Sequence, residues 1–162
     1  MASPVKMGRL GGRAPAFVYR HQVAFEETNI MGNVYFVRHL SWQGRCREMF
    51  LREHAPSVLN DIQDGLRLIT LNVSCDYFRQ LSPFDEVMVE MRLAHLHQHR
   101  IGLDFDYKVD GQLVARGTHE IACMRLSNGR LTPVQPPAAL LAALQPYRPA
   151  IARASTEVAH GG

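Results

Sequence analysis

Several features that mark other classes of protein are scarce in this chain of 162 residues. It has three cysteines, Cys46, Cys75 and Cys123, which are odd in number, far apart and set among apolar residues. This pattern favours neither a disulfide framework nor a zinc site with paired ligands. The amino-terminal stretch has no unbroken apolar run long enough for a signal sequence or a membrane span. We therefore expect a reduced, cytoplasmic protein with no membrane association.

Neither positive nor negative charge predominates strongly in the chain. The formal net charge is +3 and the isoelectric point is near 9.0. The arginines are scattered among acids rather than gathered into a run with interleaved aromatic residues, so nucleic acid is not an expected partner. A mildly basic surface still suits an acidic protein partner. With 46% apolar and 20% charged residues, the composition is typical of one globular domain with a real core.

The chain does contain a clear order of secondary-structure patterns. The segment Phe17 to Phe25 is rich in β-branched and aromatic residues and predicts a first strand. Apolar residues then recur at helical spacing from Tyr35 to His54. Since Trp42, Cys46 and Met49 widen the apolar arc to well over half the circumference, this helix should be largely enclosed by other structure.

Four more strands are predicted at residues 66–78, 86–96, 101–109 and 112–124. Asp110-Gly111 between the last two is a strong hairpin signal, because both residue types tolerate positive φ angles. The order of strand, enclosed helix and strands predicts an α+β hotdog fold, with one helix wrapped by an antiparallel sheet of five to six strands. We expect residues 1–15 to be a loose tail and residues 16–132 to be the domain. Residues 133–162 are predicted to be a largely irregular extension that adds little core.

Four short strings carry a resemblance to a known family. They are EETN at 26–29, GNVY at 32–35, WQGRCREMF at 42–50 and ACMR at 122–125. The segment from Phe25 to Phe50 resembles the 4-hydroxybenzoyl-CoA thioesterase branch of hotdog proteins, and the strings are most similar to the thioesterases of enediyne polyketide biosynthesis. The resemblance extends through the strands to about Leu126.

The resemblance implies a reaction and its partners. It implies hydrolysis of a long polyene β-ketoacyl chain from the phosphopantetheine arm of an acyl carrier protein or polyketide synthase, in an iterative enediyne pathway. The released β-keto acid can then lose carbon dioxide to give a methyl ketone. It also implies a homodimer whose pocket is built from both subunits, assembled into a homotetramer. No cofactor and no metal is implied.

The resemblance also places Asn29, Arg47 and Thr70 at active-site positions. Most members of the broader branch have a catalytic Asp where this chain has Asn29, which cannot ionise and so cannot act as nucleophile or general base. Arg47 lies near the centre of the apolar arc, where a buried guanidinium needs a partner or a purpose. Beside a thioester it could stabilise negative charge on a tetrahedral intermediate or a β-keto enolate. Asn29 can donate a hydrogen bond and hold the attacking water.

Other groups near these residues are expected to assist. The backbone N–H groups of Tyr35 and Phe36, at the start of the helix, have no partners within the helix and can add a donor. Glu27 and Thr70 are expected to position the substrate. The resulting hypothesis is hydrolysis by orientation and oxyanion stabilisation, without a strong side-chain base.

Each of these residues also has a purely structural interpretation. Arg47 could pair with a carboxylate, either Glu27 or an acid of a neighbouring subunit. Asn29 could only shape the turn before the helix. The hydroxyl of Thr70 could satisfy a backbone group, on a strand face shared with Leu66, Leu68, Asn72 and Ser74.

Two further groups are candidates for a functional role. Glu48 is the reserve catalytic residue, although its place between Arg45 and Arg52 on the polar arc favours a solvated face. His95, His97 and His99 share one predicted strand face, but no Cys or acid stands at matching spacing, which favours a solvated strand end over a metal site.

Two other functions therefore remain open. One is a general acyl-CoA thioesterase with Glu27 or Glu48 as the base. The other is a non-catalytic acyl-binding hotdog module, since the group best able to activate water is missing at Asn29.

Overall fold

The computed structural model describes residues 15–149. The predicted amino-terminal tail falls almost wholly outside the described residues, as do residues 150–162 of the predicted extension. The strands are β1 (Phe17–Gln22), β2 (Leu66–Tyr77), β3 (Glu86–His97), β4 (Arg100–Val109), β5 (Gln112–Ser127) and β6 (Arg130–Pro133). The helices are α1 (Val37–His54), α2 (Pro56–Gln63) and α3 (Ala138–Leu144), with single 3₁₀ turns at Phe25–Glu27 and Gln145–Tyr147.

One antiparallel sheet holds all the described strands. Its order is β1-β3-β4-β5-β2, and β6 pairs with β5. Alternate residues of the central strands face α1 and form the core; on β4 these include Leu103, Phe105 and Tyr107. The sheet curls around α1, so the predicted α+β hotdog fold is confirmed.

The central helix is enclosed, as its apolar arc predicts. Trp42, Cys46 and Phe50 are buried, whereas Arg45 and Glu48 are exposed. The helix ends at His54, and the short helix α2, which was not predicted, begins at once with Pro56 in its first turn. Proline suits that position because the first N–H groups of a helix have no internal partner.

The described sheet contains three register shifts, two of which lie on β2 and β3, where side-chain faces were predicted. The register of β2 shifts between Thr70 and Asn72, and that of β3 shifts between Leu93 and His95. Because side chains alternate along a strand, a one-residue slip reverses the face that each later residue occupies. Thr70 therefore faces the helix, and the prediction that Asn72 and Ser74 share its face is wrong. His99 lies in the turn after β3 and not on the strand, so the predicted strand face shared by His95, His97 and His99 does not form.

Both short hairpin turns use residues that tolerate positive φ. Asp110 and Gly111 have φ of 50° and 75°, as the sequence predicts. The turn from β5 to β6 repeats this arrangement with Asn128 and Gly129, which also have φ of 50° and 75°.

The segment after Pro133 packs more closely than predicted. Leu140 and Leu144 of α3 are buried in the core, so the expectation that this segment adds little core is wrong for its described part. Tyr147 packs edge-on against Phe17 and Phe50. The extension thus closes the end of the core beside the last turns of α1.

Within residues 15–149, the three cysteines are free, and no helix is long and apolar enough to cross a membrane. No group of three His, Cys, Asp or Glu side chains in that range could hold a metal ion.

Candidate active site

A cavity of about 420 Å³ lies at the start of α1. The loop before the helix forms one wall, and the residues that follow β2 form the other. Its lining includes Asn29, Phe36, His39, Tyr77, Phe78 and Arg79. We refer to it as the Asn29 cavity.

Asn29 stands at the turn that forms one wall of this cavity. Its Oδ1 accepts the backbone N–H of Met31 at 2.9 Å, and its own N–H donates to the carbonyl of Asn33 at 2.8 Å. Gly32 supplies the left-handed backbone that the turn requires, with φ of 81°. Asn29 therefore does shape the turn, as the structural interpretation held. This role uses the side-chain oxygen, so the amide nitrogen remains the group that can donate into the cavity.

The backbone N–H groups of Tyr35 and Phe36 were both expected to be free, but among the described residues only one of them is. The N–H of Tyr35 donates to the carbonyl of Glu27 at 2.9 Å and is therefore occupied. Phe36 is the N-cap residue of α1, and within residues 15–149 its N–H makes no backbone hydrogen bond. Because a helix N-terminus carries partial positive charge, this amide is suited to an oxyanion in the cavity.

Glu27 is a structural carboxylate rather than a free base. It is 8% exposed and accepts hydrogen bonds from His21 at 2.7 Å, Ala24 N–H at 2.9 Å and Trp42 Nε1 at 2.9 Å. Burial raises the pKa of Glu27, but the donors from Ala24, His21 and Trp42 outweigh it and hold the pKa below its ordinary value. A carboxylate so engaged fixes the loop that carries Asn29 and has little capacity to take a proton from water.

Arg47 and Thr70 meet through a residue that sequence reasoning missed, His119 on β5. Nη1 of Arg47 lies 3.3 Å from Nε2 of His119, and Oγ1 of Thr70 lies 2.9 Å from the same nitrogen. No carboxylate forms an ion pair with Arg47 within residues 15–149, so its predicted pairing with Glu27 is not observed. We call Arg47, Thr70 and His119 the Arg47 cluster.

The environment of the Arg47 cluster is largely apolar. Burial lowers the pKa of Arg47, and the nearby charge of Glu48 offsets part of that effect. A second cavity of about 330 Å³ opens beside the guanidinium. Its lining includes Leu51, Leu59, Leu66 and Leu68, together with Glu48, whose side chain is exposed. Such a lining has room for an apolar chain next to a fixed positive charge.

The structure does not bring Asn29 and Arg47 together within one chain. His39 lines the Asn29 cavity, and Arg47 lies two turns further along the same helix. At a rise of 1.5 Å per residue this corresponds to roughly 12 Å. Neither described cavity contains both residues. The two predicted site residues thus line separate cavities of the chain.

His39 is a second histidine that the sequence analysis did not single out. It is 3% exposed and packs against the rings of Trp42, Tyr77 and Tyr107. Neither of its ring nitrogens makes a hydrogen bond of ordinary geometry to the described residues. Burial lowers its pKa to about 4, although the Phe36 carbonyl acts in the opposite direction.

The sequence contains a pattern from which His39 could have been identified as a buried polar residue. His39, Gln43 and Arg47 recur every four residues within an otherwise apolar arc, which marks a polar stripe on the buried side of α1. Gln43 donates to the carbonyl of Ser74 at 3.1 Å, so the stripe faces β2. His119 gave a weaker signal, because a single histidine among the inward residues of a strand has many structural explanations.

Comparisons with known proteins agree with this architecture. Residues 23–144 match the family described as the thioesterase-like superfamily. The dynemicin thioesterase, whose crystal structures reveal induced-fit and allosteric effects upon polyene binding, is 46% identical in sequence to this chain. That match covers 82% of this chain and 97% of the other, with a TM-score of 0.80.

More distant solved structures show the same fold. A 1,4-dihydroxy-2-naphthoyl-CoA thioesterase from Synechocystis is 25% identical, with coverage of 80% of this chain and 96% of the other and a TM-score of 0.72. A gentisyl-coenzyme A thioesterase is 19% identical, with coverage of 78% and 98% and a TM-score of 0.69, which is a likeness of fold alone.

Proposed function

Because the chain belongs to the thioesterase-like superfamily and is a hotdog-fold thioester hydrolase, we propose that it releases a β-ketoacyl polyene from a carrier protein in enediyne biosynthesis. The carrier presents the chain as a phosphopantetheine thioester. The observation that carries this substrate class is the 46% identity, over 82% of the chain, with the dynemicin thioesterase, whose crystal structures reveal polyene binding.

The chemistry follows from groups that donate hydrogen bonds rather than from a base. Water attacks the thioester carbonyl. The developing oxyanion accepts hydrogen bonds from the Phe36 N–H and from the Arg47 guanidinium. The Asn29 amide orients the attacking water. Collapse of the tetrahedral intermediate breaks the C–S bond, and the proton lost by the attacking water passes to the leaving sulfur. The products are the phosphopantetheine thiol and the β-keto acid. A single well-placed oxyanion donor contributes roughly 3 to 4 kcal/mol to such a step.

Because Asn29 and Arg47 line separate cavities, we propose that each cavity is a half-site and that the working site joins two copies of the chain. Strand β2 stands at the end of the sheet order, with β5 on one side and, among residues 15–149, no strand on the other. Leu71 and Val73 on this strand are exposed. A two-fold pair through this edge would place β2 antiparallel to its copy. The Tyr77 end of one strand then lies beside the Leu66 end of the other.

That pairing would complete the site. The Asn29 cavity lies at the Tyr77 end of β2, and Thr70 of the Arg47 cluster lies nearer the other end. The Asn29 of one copy therefore approaches the Arg47 of the second. Assembly of two such dimers into a tetramer, and docking of an acidic carrier protein on this mildly basic chain, remain predictions.

The test is thiol release from a β-ketoacyl carrier-protein thioester, with mass analysis of the product. We expect native protein to release the β-keto acid or its methyl ketone, and Arg47→Ala to reduce kcat by about 100-fold. Arg45→Ala is the matched control, because Arg45 is exposed on the same helix two residues away. If native protein binds the acyl chain and releases no thiol above buffer, hydrolysis is excluded and the acyl-binding module replaces it.

A general acyl-CoA thioesterase is the second candidate, and one observation favours it. Glu48 lines the same cavity as Arg47, where a carboxylate could act as the base. This candidate predicts fast turnover of free acyl-CoA and a large loss of kcat in Glu48→Gln. Turnover of the carrier thioester that is insensitive to Glu48→Gln would eliminate it.

A further inference from the structure

The Arg47 guanidinium is held by a neutral side chain. Its hydrogen-bond partner is the imidazole of His119, at 3.3 Å between Nη1 and Nε2. His119 is 6% exposed and lies on the inward side of β5, opposite Leu103 of β4. Most buried arginines are paired with carboxylates, which cancel their charge. Here no ion pair of that kind is present within residues 15–149.

The contact with Arg47 favours one tautomer of the His119 ring. A guanidinium can only donate, so this contact is a hydrogen bond when Nε2 of His119 accepts, which is the neutral ring with its proton on Nδ1. The Thr70 hydroxyl, at 2.9 Å, approaches the same Nε2 from β2. The Nδ1 atom is buried and has no hydrogen-bond partner among the described residues. Both hydrogen bonds that position the His119 ring among the described residues thus involve Nε2.

Two of the groups packed beside His119 are apolar. Phe105 of β4 lies with its ring centroid 6.5 Å away, and Val73 of β2 is its strand neighbour. The charge of Glu48 affects the pKa of Arg47, and Glu48 lines the adjoining cavity with an exposed side chain that makes no ion pair with the guanidinium. The guanidinium is therefore held on one side by a neutral group, and it borders the adjoining cavity without an ion pair to any described carboxylate.

We infer that His119 is a positioning residue for the thioester reaction, which holds Arg47 in place through a neutral acceptor and leaves its charge for the substrate oxyanion. This inference rests on the proposed function, in which Arg47 is the oxyanion donor. A carboxylate at the same position would hold the guanidinium at least as firmly and would cancel the charge that the reaction needs.

The cluster keeps this arrangement over a wide range of pH. Burial, and then the positive charge of Arg47, lower the pKa of His119 to about 4. The imidazole thus stays neutral and accepting at physiological pH. Protonation would place two cations in contact and remove the acceptor.

The test compares three substitutions in the full-length protein, assayed with a β-ketoacyl carrier thioester. His119→Gln retains a neutral acceptor, and we expect kcat within about tenfold of native. His119→Glu retains an acceptor and cancels the charge, and we expect kcat to fall about 100-fold with KM nearly unchanged. His119→Leu removes the acceptor, and its kcat should fall between these two. Glu120→Gln is the matched control, because the neighbouring Glu120 pairs with exposed Arg100.

A merely structural histidine predicts no difference in kcat between His119→Glu and His119→Gln. In that case His119→Glu would fold and turn over as well as His119→Gln, and the inference would be overturned while thiol release by native protein still stood. If native protein releases no thiol at all, the proposed function has failed instead.

A second measurement does not depend on whether any variant folds. The ¹⁵N chemical shifts of the His119 ring in native protein at pH 7 report its tautomer directly. A neutral ring protonated on Nδ1 supports the inference. A ring protonated on Nε2 or on both nitrogens contradicts it, because Nε2 could not then accept from Arg47.

Discussion

The indole N–H of Trp42 donates to Oε1 of Glu27 at 2.9 Å and ties the loop that carries Asn29 to the buried side of α1. His21 and the backbone N–H of Ala24 donate to the other carboxylate oxygen. We expect Glu27→Gln to lower the free energy of unfolding by roughly 1 to 3 kcal/mol, because an amide cannot accept from all three donors. Urea unfolding measures this loss.

The catalytic rate should respond differently. Since Glu27 serves to hold the loop, kcat per folded molecule of Glu27→Gln should stay within about tenfold of native. Glu53→Gln is the matched control and should change neither stability nor kcat appreciably, because Glu53 is exposed and lines neither cavity. A stable Glu27→Gln protein with kcat reduced by 1,000-fold or more, roughly 4 kcal/mol, would instead identify Glu27 as the base.

Asn29→Asp separates two mechanisms at the same position. The carboxylate can still accept the Met31 N–H, so the turn should form, but it cannot donate to water. We expect kcat at pH 7 to fall by roughly 10- to 100-fold if the amide donor is required, at about 1.4 kcal/mol for each tenfold. An increase in thiol release would show that the site favours an acidic residue and would contradict hydrolysis without a base.

Stability should depend on pH through the two buried histidines. Burial depresses the pKa of His39 and of His119 to about 4, from an ordinary value of 6.5. The unfolded chain therefore binds more protons than the folded one as pH falls from 6.5 toward 4, and the free energy of unfolding falls over that window. The loss is on the order of 3 kcal/mol for each histidine when complete.

His39→Phe isolates one of these contributions. Phenylalanine retains the ring contacts with Trp42 and Tyr107 and has no nitrogen to protonate. We expect the Tm of this variant to fall less than that of native protein between pH 7 and pH 5. Parallel Tm curves for the two proteins over this range would show that His39 does not control acid stability. His97→Phe, at an exposed position, is the control and should leave the pH dependence unchanged.

The enclosed helix and the order of strands were predictable from the sequence because they follow from the spacing of apolar residues. The Asp110-Gly111 turn was predictable because the two residue types determine its backbone. The bulge after Thr70 was not, since an extra residue in one strand is defined only against the strand beside it. It reverses the faces of Asn72 and Ser74, so the strand pattern alone assigned them wrongly.

The candidate site was predictable only in part. Position on the helix identified Arg47 as a buried cation, and the family resemblance selected Asn29 and Thr70. The role of His119 depends on a contact between residues 72 positions apart in the chain, from α1 to β5. No local pattern records such a contact.

Two glycines should respond in opposite directions to the same substitution. A Cβ at Gly117 would clash with the amide of Gln43 and would lie 2.7 Å from the carbonyl of Ser74, whereas one at Gly44 would meet nothing within 4 Å. We expect Gly117→Ala to lower the free energy of unfolding by roughly 1 to 3 kcal/mol. Gly44→Ala in the middle of α1 should raise it by roughly 1 kcal/mol. Chemical denaturation of both variants measures the difference, and equal stabilities would contradict the packing of β5 on α1.

A site shared between two copies is tested most directly by mixing two inactive variants. Asn29→Ala and Arg47→Ala are refolded together in equal amounts, and thiol release is compared with that of each variant alone. Random pairing makes half of the dimers mixed, and each mixed dimer has one intact site, so about a quarter of native activity should return. A mixture of Arg47→Ala with Thr70→Val, which both damage the same half-site, should be no more active than the mean of the two variants alone. If the first mixture is no more active than its separate components, the site lies within one chain and the shared-site account is wrong.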